Sequence, residues 1–157
     1  MAHNKKNTFY LILISTLLLT SCGFKKLEKL NGNYNAQEVS IKGDRRVGYI
    51  LKNEIMLNSS SKSKNLIIIS ISTDKKKLTK EKNIKNKTTK YEVKLSTNIK
   101  FTSTQSTKEI GKSFIRSFYY DVEKDHSLSL ANEKNELDDL TSLLAEDIIN
   151  YLNSYFN

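Results

Sequence analysis

Apolar residues recur along this chain with two different periods, and the switches between them lay out a fold. In Ala36 to Ile41, Val39 and Ile41 alternate with polar Ser40, a short strand pattern. Gly43-Asp44 ends it and offers a helix N-cap, because an Asp side chain can accept a hydrogen bond from a free amide of the first turn. Val47, Ile50, Leu51 and Ile55 then step at helical spacing. After a Ser/Lys/Asn loop from Asn58 to Lys64, Leu66 to Ile71 is a short β-branched run, which favours a second strand. Asp74 to Lys90 is almost wholly polar and reads as the extended tip of a hairpin. Tyr91, Val93, Leu95, Ile99 and Phe101 alternate strictly with polar residues, which predicts a third strand with one wet face. Ser103 to Glu109 turns the chain. A fourth strand runs from Ile110 to Val122 with even-numbered Phe114, Phe118, Tyr120 and Val122 directed inward, interrupted by Lys112 and Arg116. Leu137, Leu140, Leu144, Ile148, Tyr151, Leu152 and Tyr155 step by three and four to the C-terminus, an amphipathic helix with no Gly or Pro to break it. The order β-α-β-β-β-α predicts an α+β fold: a mainly antiparallel four-stranded meander with two helices packed on one face. The other face meets water or a partner.

The first residues belong to targeting, not to the fold. Lys5 and Lys6 precede an apolar run from Phe9 to Leu19, too short for a spanning helix, which needs roughly 20 apolar residues. Leu19-Thr20-Ser21-Cys22 follows, and Cys22 is the chain's one cysteine. This segment resembles the lipobox of bacterial lipoproteins, with Leu three residues before the cysteine and a small residue beside the cut. The resemblance implies cleavage after residue 21 and an N-acyl diacylglycerol on Cys22, the only covalent group expected and no other cofactor. Gly23 stands where an Asp favours inner-membrane retention in proteobacterial lipoproteins, so the expected location is the outer membrane. The resulting division is a signal peptide over residues 1–21, a polar tether over 22–35 and a single domain over 36–157.

The net charge of +9 suits anionic partners such as phosphorylated lipid or an acidic protein face. Nucleic acid is disfavoured, because the signal sends the chain out of the cytoplasm. A chain rich in Lys, Asn and Ile, without Pro or Trp, is also what an AT-biased genome produces, so charge alone decides little. Enzyme chemistry finds no site: with Cys22 acylated no thiol remains, and only His126 survives processing as a histidine base or metal ligand. There is no Gly-rich phosphate loop and no zinc spacing. A non-catalytic binding or assembly protein is expected, with no metal.

Cys22-Gly23-Phe24, then Gly43-Asp44-Arg45-Arg46 and Leu51-Lys52-Asn53-Glu54, and finally Leu143-Leu144-Ala145-Glu146-Asp147-Ile148-Ile149 with Tyr155-Phe156, resemble the LPS-assembly lipoprotein (LptE) family. The likeness covers the chain in order and length. It departs at Lys25-Lys26, where relatives often carry a basic residue followed by Pro-Leu. It implies an outer-membrane lipoprotein that plugs an LptD-type β-barrel, assists its assembly, and helps deliver lipopolysaccharide to the outer leaflet. In that setting Lys75, Lys76, Lys77, Lys80, Lys82, Lys85, Lys87 and Lys90 are candidates for lipid phosphates, since ammonium groups bind anions as flexible point charges. The bland alternative is a solvated loop. Arg45 and Arg46 sit where cations oppose the helix dipole, so a carboxylate of the barrel partner is one reason for them, against surface chance. Tyr119, out of phase with the even-numbered set, is a third candidate partner contact. The competing function is a free-standing lipid-anchored periplasmic adaptor or envelope-stress lipoprotein without a barrel partner.

Overall fold

The computed structural model describes residues 32 to 157 apart from Gln105 and Thr107; the signal segment and Cys22 lie outside the described residues. Six elements follow in the order β1 (Asn35–Gly43), α1 (Arg45–Leu57), β2 (Leu66–Lys82), β3 (Thr88–Ser103), β4 (Glu109–Asp121) and α2 (His126–Tyr155). This is the α+β order expected.

The sheet order is β1-β2-β3-β4. β2 to β4 form the antiparallel meander, with Ile71 opposite Ile99 and Val93 opposite Phe118. β1 departs from it: it pairs parallel with β2, from Asn35↔Leu66 to Gly43↔Thr73. The reason is α1, which returns the chain to the end of the sheet where β1 began, so β2 must run in the same direction. The corner is built tightly. Gly43 has φ 91°, and a Cβ there would lie 1.8 Å from the Thr73 carbonyl oxygen, so only glycine fits. Asp44 then caps α1, its Oδ1 accepting from the Val47 amide at 3.0 Å. The Thr73 hydroxyl donates towards the Asp44 carbonyl at 3.1 Å and bolts this corner to β2.

Both helices cover one face. Ile67, Ile69 and Ile71 of β2 and Val93, Leu95, Ile99 and Phe101 of β3 are buried beneath Val47, Leu51 and Ile55 of α1 and Leu137, Leu144, Ile148 and Leu152 of α2. On β4, Phe118 and Tyr120 join this core and Phe114 packs against it. Val122 does not: it lies beyond β4 and is exposed.

Three other expectations change. Asp74 to Lys90, expected as the extended tip of a hairpin, is paired strand for most of its length, because β2 continues to Lys82 and β3 begins at Thr88, leaving a tight connection. α2 begins at His126, ahead of its apolar stripe, where Asp125 accepts from the Ser127 amide at 2.8 Å. The tether residue Tyr34 is fully buried, and its hydroxyl donates to the Ile55 carbonyl oxygen at 3.1 Å, so the packed fold starts before residue 36. Among the described residues no helix is long and apolar enough to cross a membrane.

Candidate functional site

Pleating sends alternate residues of each strand away from the helices, and no element among the described residues covers that side. Its cross-strand rows follow from the register: Ser40–Ser70–Lys100–Gly111, Lys42–Ser72–Asn98–Ser113, Asp74–Ser96–Ile115, Lys76–Lys94–Ser117 and Leu78–Glu92–Tyr119. Small hydroxyl and amide side chains occupy the middle, and the Ser113 hydroxyl donates to Asn98 Oδ1. Apolar groups are sparse, chiefly Ile68, Leu78, Ile115 and Tyr119. The result is an open platform of polar groups on a rigid sheet. The 17 residues of β2 make its long axis roughly 55 Å at ~3.3 Å per residue. Part of this character was present in the sequence, as Ser40, Ser70, Ser72, Ser96, Asn98, Ser113 and Ser117.

The candidate lysines do not act as one cluster, because β2 sends them to opposite faces. Lys75 and Lys77 point to the helix side. Lys75 lies 3.9 Å from the Asp44 carboxylate. Lys77 Nζ sits 2.7 Å from Glu133 of α2 and 4.2 Å from the centroid of the Tyr91 ring, while the Tyr120 hydroxyl donates to the same Glu133 oxygen at 2.6 Å. Partial burial pushes the Glu133 carboxyl up, but the hydrogen bonds from Lys77 and Tyr120 and the Lys77 charge outweigh it and hold it below its ordinary range. Burial likewise opposes the Lys77 charge, and Glu133 more than compensates, leaving that ammonium raised. Lys76 pairs with Asp74 at 3.5 Å, Lys80 with Glu92 at 3.4 Å, and Lys90 with Glu81 at 3.2 Å. Lys82, Lys85 and Lys87, around the hairpin tip, have no carboxylate within reach among the described residues. The hairpin lysines without a carboxylate partner are therefore concentrated at that tip.

Arg46 finds its carboxylate inside the molecule. Its guanidinium donates to both Asp138 oxygens, at 2.9 Å and 2.6 Å through one nitrogen, and clasps α1 to α2. The contact expected from a partner is thus made within the chain, and this explains a cation at a helix start. Arg45 is exposed, without a carboxylate among the described residues. Tyr119 lies on the open face, 51% exposed, with its hydroxyl donating to Glu92 at 3.3 Å.

The two residues that broke the pattern of β4 face α2. Arg116 donates to Asp147 at 2.7 Å and 2.9 Å, and that hydrogen bonding holds the Asp147 carboxyl below its usual range. Lys112 sits 4.3 Å over the Tyr151 ring. Inward charges on an edge strand resist pairing with a further strand.

A groove of about 400 Å³ between the helices is lined by Glu54, Asn58, Ala145, Glu146, Ile149 and Asn150. Its carboxylates make it a poor phosphate site. Among the described residues no group of three His, Cys, Asp or Glu could hold a metal ion.

No protein-family model and no curated protein matches this sequence. Solved structures do match. A rare lipoprotein B from Shewanella oneidensis superposes with a TM-score of 0.59 at 10% identity, over 75% of this chain and 95% of that one. A lipoprotein from Caulobacter crescentus superposes with a TM-score of 0.54 at 13% identity, over 74% of this chain and 88% of that one. The chain shares their fold. The two-helix, four-strand arrangement is thus one that lipoproteins of the bacterial envelope use, reached here with almost no common sequence. Such distances leave the architecture in common.

Proposed function

We propose that this protein is a lipid-anchored, LptE-like lipoprotein of the outer membrane that plugs an LptD-type β-barrel and helps deliver lipopolysaccharide. The observation that carries this reading is the one-sided sheet: a platform whose apolar core lies beneath its helices, with an open face chiefly of Ser, Asn, Lys and Glu and few apolar groups. Large barrels have polar, water-filled interiors, and a folded insert must offer them a polar surface with few unsatisfied apolar patches. The long axis of roughly 55 Å also exceeds the ~40–45 Å of a bilayer with its headgroups, so such an insert reaches from one end of a lumen to the other. The lipobox-like Leu19-Thr20-Ser21-Cys22 supports the same reading, since several acyl chains on such a cysteine would give stable anchoring where one is marginal.

Affinity capture of the chain from membranes in mild detergent tests the proposal. A stoichiometric large β-barrel is expected, together with accumulation of lipopolysaccharide on the periplasmic side when the protein is depleted. Capture without a barrel, and unchanged lipopolysaccharide on depletion, would support a free-standing adaptor instead.

A further inference from the structure

The hairpin tip between β2 and β3 carries the most exposed apolar side chain of the described residues. Ile84 has a relative accessibility of 102%, that of a residue with no neighbours. An isoleucine in a mobile loop would mean little, but this turn is built. Asn83 Oδ1 accepts from the Lys85 and Lys87 amides, each at 3.0 Å, and the Asn83 amide donates to the Lys87 carbonyl at 2.9 Å. Asn86 takes φ 57°, the left-handed conformation that Asn tolerates, which closes the turn. The side chain of Ile84 is therefore held at the apex. Around it stand Lys82, Lys85 and Lys87, the three hairpin lysines without carboxylate partners, while Glu81, the acid closest to the tip in sequence, is engaged by Lys90 at 3.2 Å.

We propose that this tip docks on an anionic lipid surface, with Ile84 entering the headgroup–acyl boundary and Lys82, Lys85 and Lys87 on lipid phosphates. An apolar residue ringed by free cations matches an interface that is greasy below and negative above. Each lysine near an anionic leaflet raises partitioning about fivefold, so three suffice for a salt-sensitive contact. A protein partner fits less well, since among the described residues no second apolar side chain lies in the turn from Lys82 to Thr88 to complete a pocket-filling patch. The tip lies at the end of the sheet opposite Tyr34, where the chain enters the fold, because β1 starts beside Leu66 and β2 runs from there to Lys82. The contact is therefore made at the end of the sheet away from Tyr34. This inference does not need a barrel: the capture experiment and the one below fail independently.

The chain has no tryptophan, so Ile84→Trp places a single emitter at the tip. The full chain with this substitution is reconstituted into neutral phosphatidylcholine vesicles, and vesicles with brominated acyl chains are added. A blue shift and quenching with brominated phosphatidylglycerol vesicles, absent with brominated phosphatidylcholine, reversed by salt and lost when Lys82, Lys85 and Lys87 are changed to Ser, is the expected result. Emission that ignores the anionic vesicles, or quenching that survives the triple change, overturns the proposal.

Discussion

The Lys77 ammonium lies 2.7 Å from the Glu133 carboxylate, and this contact fastens the distal half of the lysine hairpin to the first turns of α2. Glu133 is held below its ordinary range in the fold, so its contribution is complete above the unfolded carboxylate pKa of about 4.3 and is lost as pH falls through the lower folded value. Lys77 is raised, so its contribution is present below the unfolded lysine pKa of about 10.4 and is lost as pH rises through the folded value. Glu133→Gln is expected to cost about 1 kcal/mol at neutral pH, a modest figure because the pair is partly solvated. Urea unfolding at a series of pH values checks it: the gap between variant and parent closes in acid. A gap that stays constant down to strong acid would contradict the assignment.

Among the described residues Thr97 is the one misfit in the core. It is fully buried between Thr73 of β2 and Phe114 of β4, and its hydroxyl has no hydrogen-bond partner. A buried hydroxyl left unpaired costs about 1–3 kcal/mol, and valine has nearly the same shape. Thr97→Val should therefore raise stability by about 1 kcal/mol, which for a chain of this size is a few degrees of melting temperature. A lower melting temperature would show that the hydroxyl is satisfied in solution.

How much of this was legible in the sequence depended on which face a residue serves. Alternation from Tyr91 to Phe101 gave the facing of β3 directly, because every inward position but Thr97 is apolar. Asp44 was readable as a cap because the chemistry is local. The distal half of β2 was not: its lysines are poor strand formers, and what holds them is the pairing with β3 together with carboxylates scattered over the chain, Asp44, Asp74, Glu92 and Glu133. The parallel pairing of β1 was invisible because element order alone allows either direction. Arg46 and Arg116 looked like surface or irregular charges because Asp138 and Asp147 lie far along the chain. The lysines could be listed, but their division into paired residues and a free tip required the strand geometry.

Tyr34 ties the start of the described chain to the body of the fold. Its ring is fully buried and its hydroxyl reaches the carbonyl of Ile55 in the last turns of α1. Tyr34→Ala should cost about 3–5 kcal/mol, as other buried aromatic truncations do. Tyr34→Phe keeps the ring and strands one carbonyl near the helix end, so about 1 kcal/mol is expected. Chemical denaturation separates the two, and equal losses would mean that the hydrogen bond, not the ring, dominates.

The open face offers the sharpest functional prediction, because it can be altered without touching the core. Ser113 lies at the β4 end of the row Lys42–Ser72–Asn98–Ser113, on the side away from both helices. Tryptophan there extends into free space and is well tolerated in a strand, so stability should change by no more than about 0.5 kcal/mol. If the sheet seats against the wall of a barrel, the added volume has nowhere to go and the barrel should be lost from the captured complex. Asn135→Trp, on the exposed side of α2, adds the same bulk to the helix layer and should leave capture intact. Mild-detergent capture of both variants, with their melting temperatures alongside, decides the orientation. Loss of the barrel with Asn135→Trp but not with Ser113→Trp would place the helices, not the sheet, against the wall.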